Sequence, residues 1–163
     1  MRIQRKEWKI TLPSDRKRRL QTLLRRNKLK NKERETSVLF EECLAALGSD
    51  VIVMTDERSK EIYKLFEAEF KINLYGRIEW DSYKAYEEMD ENTFGNRYMN
   101  QEEYYYILWS HGSDPVIKAR LNQIVKNLED VTAVSPDIWV YREERQVIEI
   151  FHGGIVRVMQ KKE

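Results

Sequence analysis

Two histidines and one cysteine are the side chains of this chain best suited to acid–base, nucleophilic or metal chemistry, and their spacing isolates them from one another. His111 follows an apolar run in the stretch WSHGSDP, and His152 lies in a turn, FHGG; neither has a second His or Cys at a metal-ligand spacing. Both read as surface or hydrogen-bonding turn residues. Cys43 falls on the apolar face of a predicted helix, the place of a small buried hydrophobe rather than a nucleophile. No GxGxxG or GxxxxGK follows a strand, and Gly153-Gly154 reads as a hairpin turn rather than a phosphate cradle. The reading is therefore of no catalytic residue, no metal site and no cofactor.

Chemistry of association is better represented. Acidic side chains cluster at Glu87, Glu88, Asp90 and Glu91, at Glu102 and Glu103, and at Glu129 and Asp130. Most such runs are solvated faces, but an acidic surface also suits a basic partner. Tyr104, Tyr105 and Tyr106 stand in a row, and strand alternation exposes at least one of them while another packs inward. An exposed tyrosine beside carboxylates is interface material. The candidate contacts are Glu87, Glu88, Asp90, Glu91, Glu102, Glu103, Tyr104 and Tyr106.

Charge divides the chain. Residues 1–36 hold 14 of the 29 Lys/Arg and 4 of the 28 Asp/Glu, net +10, which leaves 15 basic and 24 acidic residues in 37–163, net −9. Two surfaces with different partners follow from such asymmetry. The basic segment reads as an extension (1–36) with a strand at 8–12, WKITL, and a helix over 15–27 with Leu20, Leu23 and Leu24 on one side. With a helix at 36–47, it forms the order strand, helix, helix of a ribbon-helix-helix DNA-binding element. In that alternative Lys9 and Thr11 face bases while Arg16, Arg18, Arg19, Arg25 and Arg26 contact phosphate.

The elements that must position these residues are legible as α+β. Thr36 or Ser37 caps the helix that ends at Gly48, residues 51–54 form a short strand, and Thr55 or Asp56 caps a helix to about Phe70 with Ile62, Leu65, Phe66 and Phe70 inward. A turn at Gly76 leads into a short strand in YGRIEW, and 84–103 reads as a long surface loop or partly helical excursion. YYYILW (104–109) is a buried strand. Pro115 opens an amphipathic helix carrying Ile117, Leu121, Ile124 and Leu128, after which VTAVS, DIWVY, VIEIF and GIVRVM read as strands. The expectation is a mixed or antiparallel sheet ending in a C-terminal β-meander, with helices mainly on one face.

At 163 residues with 41% hydrophobic and 11% aromatic side chains, the chain can bury a core of its own. The lone Cys43 excludes an internal disulfide and fits a reducing cytoplasm. No apolar run approaches a membrane span, and the N-terminus lacks the apolar core of a secretory signal.

The order FEECLAALG, DVIVMTDE, YGRIEW, the block from Tyr104 to Tyr141 with its DVTAVSPDIWVY, and VIEIFHGG resembles a family of bacterial immunity proteins. These are the small cytoplasmic antitoxins of contact-dependent growth inhibition and related systems. The resemblance covers about 37–163; the chain departs from it with His111 and Asp114-Pro115 after the tryptophan, and with Pro136. It implies an α+β protein that acts by stoichiometric binding to the C-terminal domain of a cognate toxin, not by turnover. Many such toxins are nuclease-like with basic substrate grooves, to which a net −9 body would be steered.

Overall fold

The structure, a computed structural model, describes Thr22 and residues 36–161; the latter fall within one compact unit, Thr36–Glu163. The strand expected at 8–12 and, apart from Thr22, the helix over 15–27 lie outside the described residues, as do Lys9, Thr11, Arg16, Arg18, Arg19, Arg25 and Arg26. The element order is α1 (Val38–Leu47), β1 (Ile52–Val53), α2 (Asp56–Glu69), a 3₁₀ turn (Trp80–Ser82), β2 (Glu87–Asp90), α3 (Glu91–Tyr98), β3 (Tyr104–Trp109), β4 (Ile117–Arg120), α4 (Leu121–Lys126), α5 (Leu128–Val134), β5 (Ile138–Arg142), β6 (Gln146–Ile150) and β7 (Ile155–Gln160). The seven strands of the described residues join one antiparallel sheet in the order β1-β4-β3-β5-β6-β7-β2. The fold is α+β.

Alternation along β3 divides the core in two. Tyr105, Ile107 and Trp109 point to one face, where Phe40, Cys43 and Leu47 of α1, Phe94 and Tyr98 of α3, Leu121 and Ile124 of α4 and Val131 of α5 close over them. Tyr106 and Leu108 point to the other, covered by Ile62 and Phe66 of α2 with Phe70, Ile78 and Trp80. Among the described residues the helices are thus mainly on one face, with α2 on the second. Both α1 and α2 start where a hydroxyl accepts the free backbone N–H of their first turn: Ser37 from Phe40 at 3.1 Å, Thr55 from Arg58 at 3.2 Å.

Several local expectations give way to tertiary context. The helix expected from Pro115 is a strand over Ile117–Arg120 followed by two short helices that break at Asn127. Ile117 and Ala119 alternate with Lys118 and Arg120, and β1 and β3 supply partners on both sides, so the two-residue period wins. VTAVS is not a strand. Val131 and Val134 lie three apart on the inner side of α5, and Thr132 Oγ1 donates to Leu128 O at 2.8 Å, so three β-branched residues are absorbed into a packed helix. YGRIEW forms one bridge, Ile72 with Ile78, and then the 3₁₀ turn. The irregular stretch 84–103 holds the edge strand β2 and α3, whose start Asp90 caps by accepting Thr93 N–H at 2.7 Å.

Candidate functional site

β3 and β4 carry the candidate surface. Tyr105 is buried on the helix-rich face and its hydroxyl donates to Gln146 Oε1 at 2.6 Å, so burial holds its pKa above the usual phenol value. Tyr104 and Tyr106, on the opposite face, stay half-buried where the cover of α2 runs out. Cross-strand register puts Tyr104 opposite Arg120 and Tyr106 opposite Lys118. The Lys118 ammonium lies 5.3 Å from the Tyr106 ring centroid and 5.9 Å from that of Tyr104; the Arg120 guanidinium lies 5.1 Å over Tyr104 and donates to its hydroxyl at 3.2 Å. Arg58 of α2 reaches the Tyr106 hydroxyl at 3.4 Å. A groove of ≈ 350 Å³ opens between Glu103, Tyr104, Tyr106, Lys118, Tyr141, Arg142 and Glu143.

The acidic residues divide into two groups. Glu102 and Glu103 enter β3 beside the tyrosines, with Glu102 3.7 Å from Arg120. Glu87, Glu88, Asp90 and Glu91 sit at the far edge, on β2 and the first turn of α3, with β5, β6 and β7 between them and β3. Their side chains already have work within the fold: Glu87 pairs with Arg97, Glu88 with Arg157 at 2.9 Å, and Asp90 caps α3, a bond that lowers its pKa. The two groups present separate surfaces.

Sequence reasoning passed over Lys118 and Arg120, because 115–128 reads as helix; the alternation in IKAR was the signal that could have found them. It also passed over Glu149, at 1% exposure in the middle of β6. Four donors converge on that carboxylate: Arg77 Nη2 at 3.0 Å, Ile78 N at 3.0 Å, Trp80 Nε1 at 2.8 Å and Trp139 Nε1 at 2.9 Å. It pins the 77–80 segment to the sheet and is a structural group, fully hydrogen-bonded.

Residues with reactive side chains are held in structural settings. Burial pushes the Cys43 thiol up to about 12, which leaves it protonated and inert. His111 Nδ1 lies 2.9 Å from Ser110 Oγ, but Asp114 gives both carboxylate oxygens to Ser37, at 2.8 Å to its N–H and 2.6 Å to its hydroxyl. His152 packs its backbone N–H and Nδ1 on Asp137 Oδ1, both at 3.2 Å, closing a turn. Among the described residues, no group of three or more His, Cys, Asp or Glu side chains could hold a metal ion, and no helix is long and apolar enough to cross a membrane.

What this geometry can do is bind: a half-buried pair of aromatic rings, two cations laid over them and a rim of carboxylates make a surface of mixed charge with a firm centre. A family described as "CdiI immunity protein EcoliA0-like" matches residues 37–159, nearly all of the described unit. No curated protein matches the chain.

Proposed function

The chain belongs to the CdiI immunity proteins, EcoliA0-like, and from that membership we propose that it neutralises its toxin as a stoichiometric partner of the toxin's C-terminal domain, in the cytoplasm and without turnover. Membership itself makes it an immunity protein of contact-dependent growth inhibition, one that neutralises a cognate toxin. The family match is the observation that carries the reading. The contact surface we assign is the open end of the sheet, Tyr104 and Tyr106 with Glu102 and Glu103. Half-buried tyrosines lose little side-chain entropy on docking and supply large contact area. The second acidic group, Glu87, Glu88, Asp90 and Glu91, adds to the long-range field of a net −9 body.

That field supports a nuclease-like toxin, whose substrate groove must be basic to hold phosphates and would attract an acidic protein to the same place. Co-expression tests the reading. The chain should rescue growth of cells making the toxin domain encoded beside it and should co-purify with that domain; failure of both sinks the proposal. A toxin that degrades neither DNA nor RNA would overturn the nuclease part alone.

A further inference from the structure

Lys118 differs from the other described lysines. Lys60, Lys64, Lys71, Lys84, Lys126 and Lys161 are exposed, whereas Lys118 is half-buried. Two of its cationic neighbours have carboxylate company: Arg58 pairs with Glu61 at 3.0 Å, and Arg120 stands between Asp50 at 3.8 Å and Glu102 at 3.7 Å, while the exposed Arg142 of the same groove is engaged with Tyr105. Among the described residues Lys118 has none within ion-pair distance, only the two tyrosine rings. An ammonium carries three donors, and ring faces attract its charge without accepting those N–H groups in a directed way. The rings also hold the lysine stem in place, so part of the ordering cost of a contact is already met.

We infer that Lys118, set between Tyr104 and Tyr106, is the socket for an acidic side chain of the partner protein. The inference rests on the toxin-binding reading and specifies its chemistry. The incoming carboxylate accepts from the Lys118 ammonium and from the Tyr106 hydroxyl, while Glu103 and Glu143, which line the groove, and Glu102 next to Glu103 in sequence meet basic residues on the partner. The partner surface so described is negative at its centre and positive around it. A hydrolytic nuclease has that pattern, with carboxylates that hold a divalent metal inside a basic groove. Tyrosines with a lysine on an open sheet face also suit stacked bases of single-stranded nucleic acid. The two groove carboxylates weigh against that occupant, because a polyanion would meet Glu103 and Glu143 along with Lys118 and Arg142.

The test uses the full chain and the toxin domain encoded beside it, with dissociation constants at physiological salt. Lys118→Met keeps the aliphatic stem on the rings and removes the charge; Lys118→Glu reverses it; Lys118→Arg retains it. Expected is a loss of roughly 30-fold for Met, more for Glu and a much smaller loss for Arg, with melting temperatures close to that of the parent chain. One Asp or Glu of the toxin, changed to Lys, should restore binding to Lys118→Glu and to no other variant. If the parent chain binds and the Met and Glu variants bind equally well, the socket is wrong while the toxin-binding reading stands. If the parent chain does not bind the toxin domain, both fall. If single-stranded oligouridylate binds tightly at physiological salt and Lys118→Met abolishes that binding, the surface belongs to nucleic acid and the carboxylate socket is overturned.

Discussion

Glu149 shows how one side chain can decide where a whole segment lies. Its two oxygens receive four N–H groups, one of them on a cation, in a site closed to water. Glu149→Gln preserves shape but turns one acceptor into a donor that must face Trp or backbone N–H, and it leaves Arg77 without its counter-charge. The expected cost is about 3 kcal/mol in urea unfolding; a change below about 0.5 kcal/mol would mean that the 77–80 segment is held by its apolar contacts alone. Tyr63 makes a second such tie, since its hydroxyl donates to Trp109 O and accepts Trp109 N–H, both at 2.9 Å. Burial, with Asp114 and Glu67 adding to it, raises its pKa to about 12, and burial together with Glu69 raises that of Tyr141. A phenol whose folded pKa is raised contributes its full stability below the unfolded value near 10 and loses it as pH climbs towards the folded value. The protein should therefore weaken from about pH 10 upward. Tyr63→Phe should cost about 2 kcal/mol at neutral pH and flatten the alkaline decline; an unchanged alkaline slope would show that other groups control it.

Elements were readable in the sequence where one pattern dominated. Helices α1 and α2 announced themselves by their caps and apolar spacing, and β3, β5, β6 and β7 by runs of β-branched and aromatic residues between turns. Reading failed where two periods overlap. Ile117, Leu121, Ile124 and Leu128 fit a helical stripe, although Ile117 and Ala119 are strand positions; only the pairing with Tyr105 and Ile107 across the sheet resolves the ambiguity. That failure also hid Lys118 and Arg120, so the aromatic half of the candidate site was legible and the cationic half was not. The turn between β5 and β6 holds Glu144 at φ 58, in the left-handed region where a side chain crowds its own carbonyl, a backbone that nothing in its residue type signals. Glu144→Gly should relieve that crowding and raise stability by about 0.5 kcal/mol, the gain being reduced by the greater freedom of glycine in the unfolded chain. A loss of stability would mean that the glutamate side chain makes an offsetting contribution.

At the scale of the molecule, charge is arranged in blocks, and each block has its own consequence. We propose that residues 36–163, net −9, fold without the +10 segment before them, because among the described residues they supply two apolar clusters, one on each face of the sheet. A chain lacking residues 1–35 should keep a single cooperative thermal transition, and an insoluble or non-cooperative product would refute this. The two acidic groups of that unit can then be compared directly. Glu102 and Glu103 border the tyrosines, while Glu87 and Glu88 lie four strand spacings away, about 19 Å at roughly 4.8 Å per strand, beyond the Debye length of about 8 Å at physiological ionic strength. Reversal of Glu102 and Glu103 to Lys should therefore slow association with the toxin domain by roughly tenfold and flatten its salt dependence, with little change in dissociation. Reversal of Glu87 and Glu88 sets lysines beside Arg97 and Arg157 and changes the field far from the groove, so its effect on association should be smaller and additive with the first. Asp90 is left intact in both variants because it caps α3, and its loss would mix a folding defect into the rates. Stopped-flow association across a salt series distinguishes the two surfaces: if the Glu87 and Glu88 pair proves the more sensitive, the toxin docks at the β2 edge, and the tyrosine groove is not its contact.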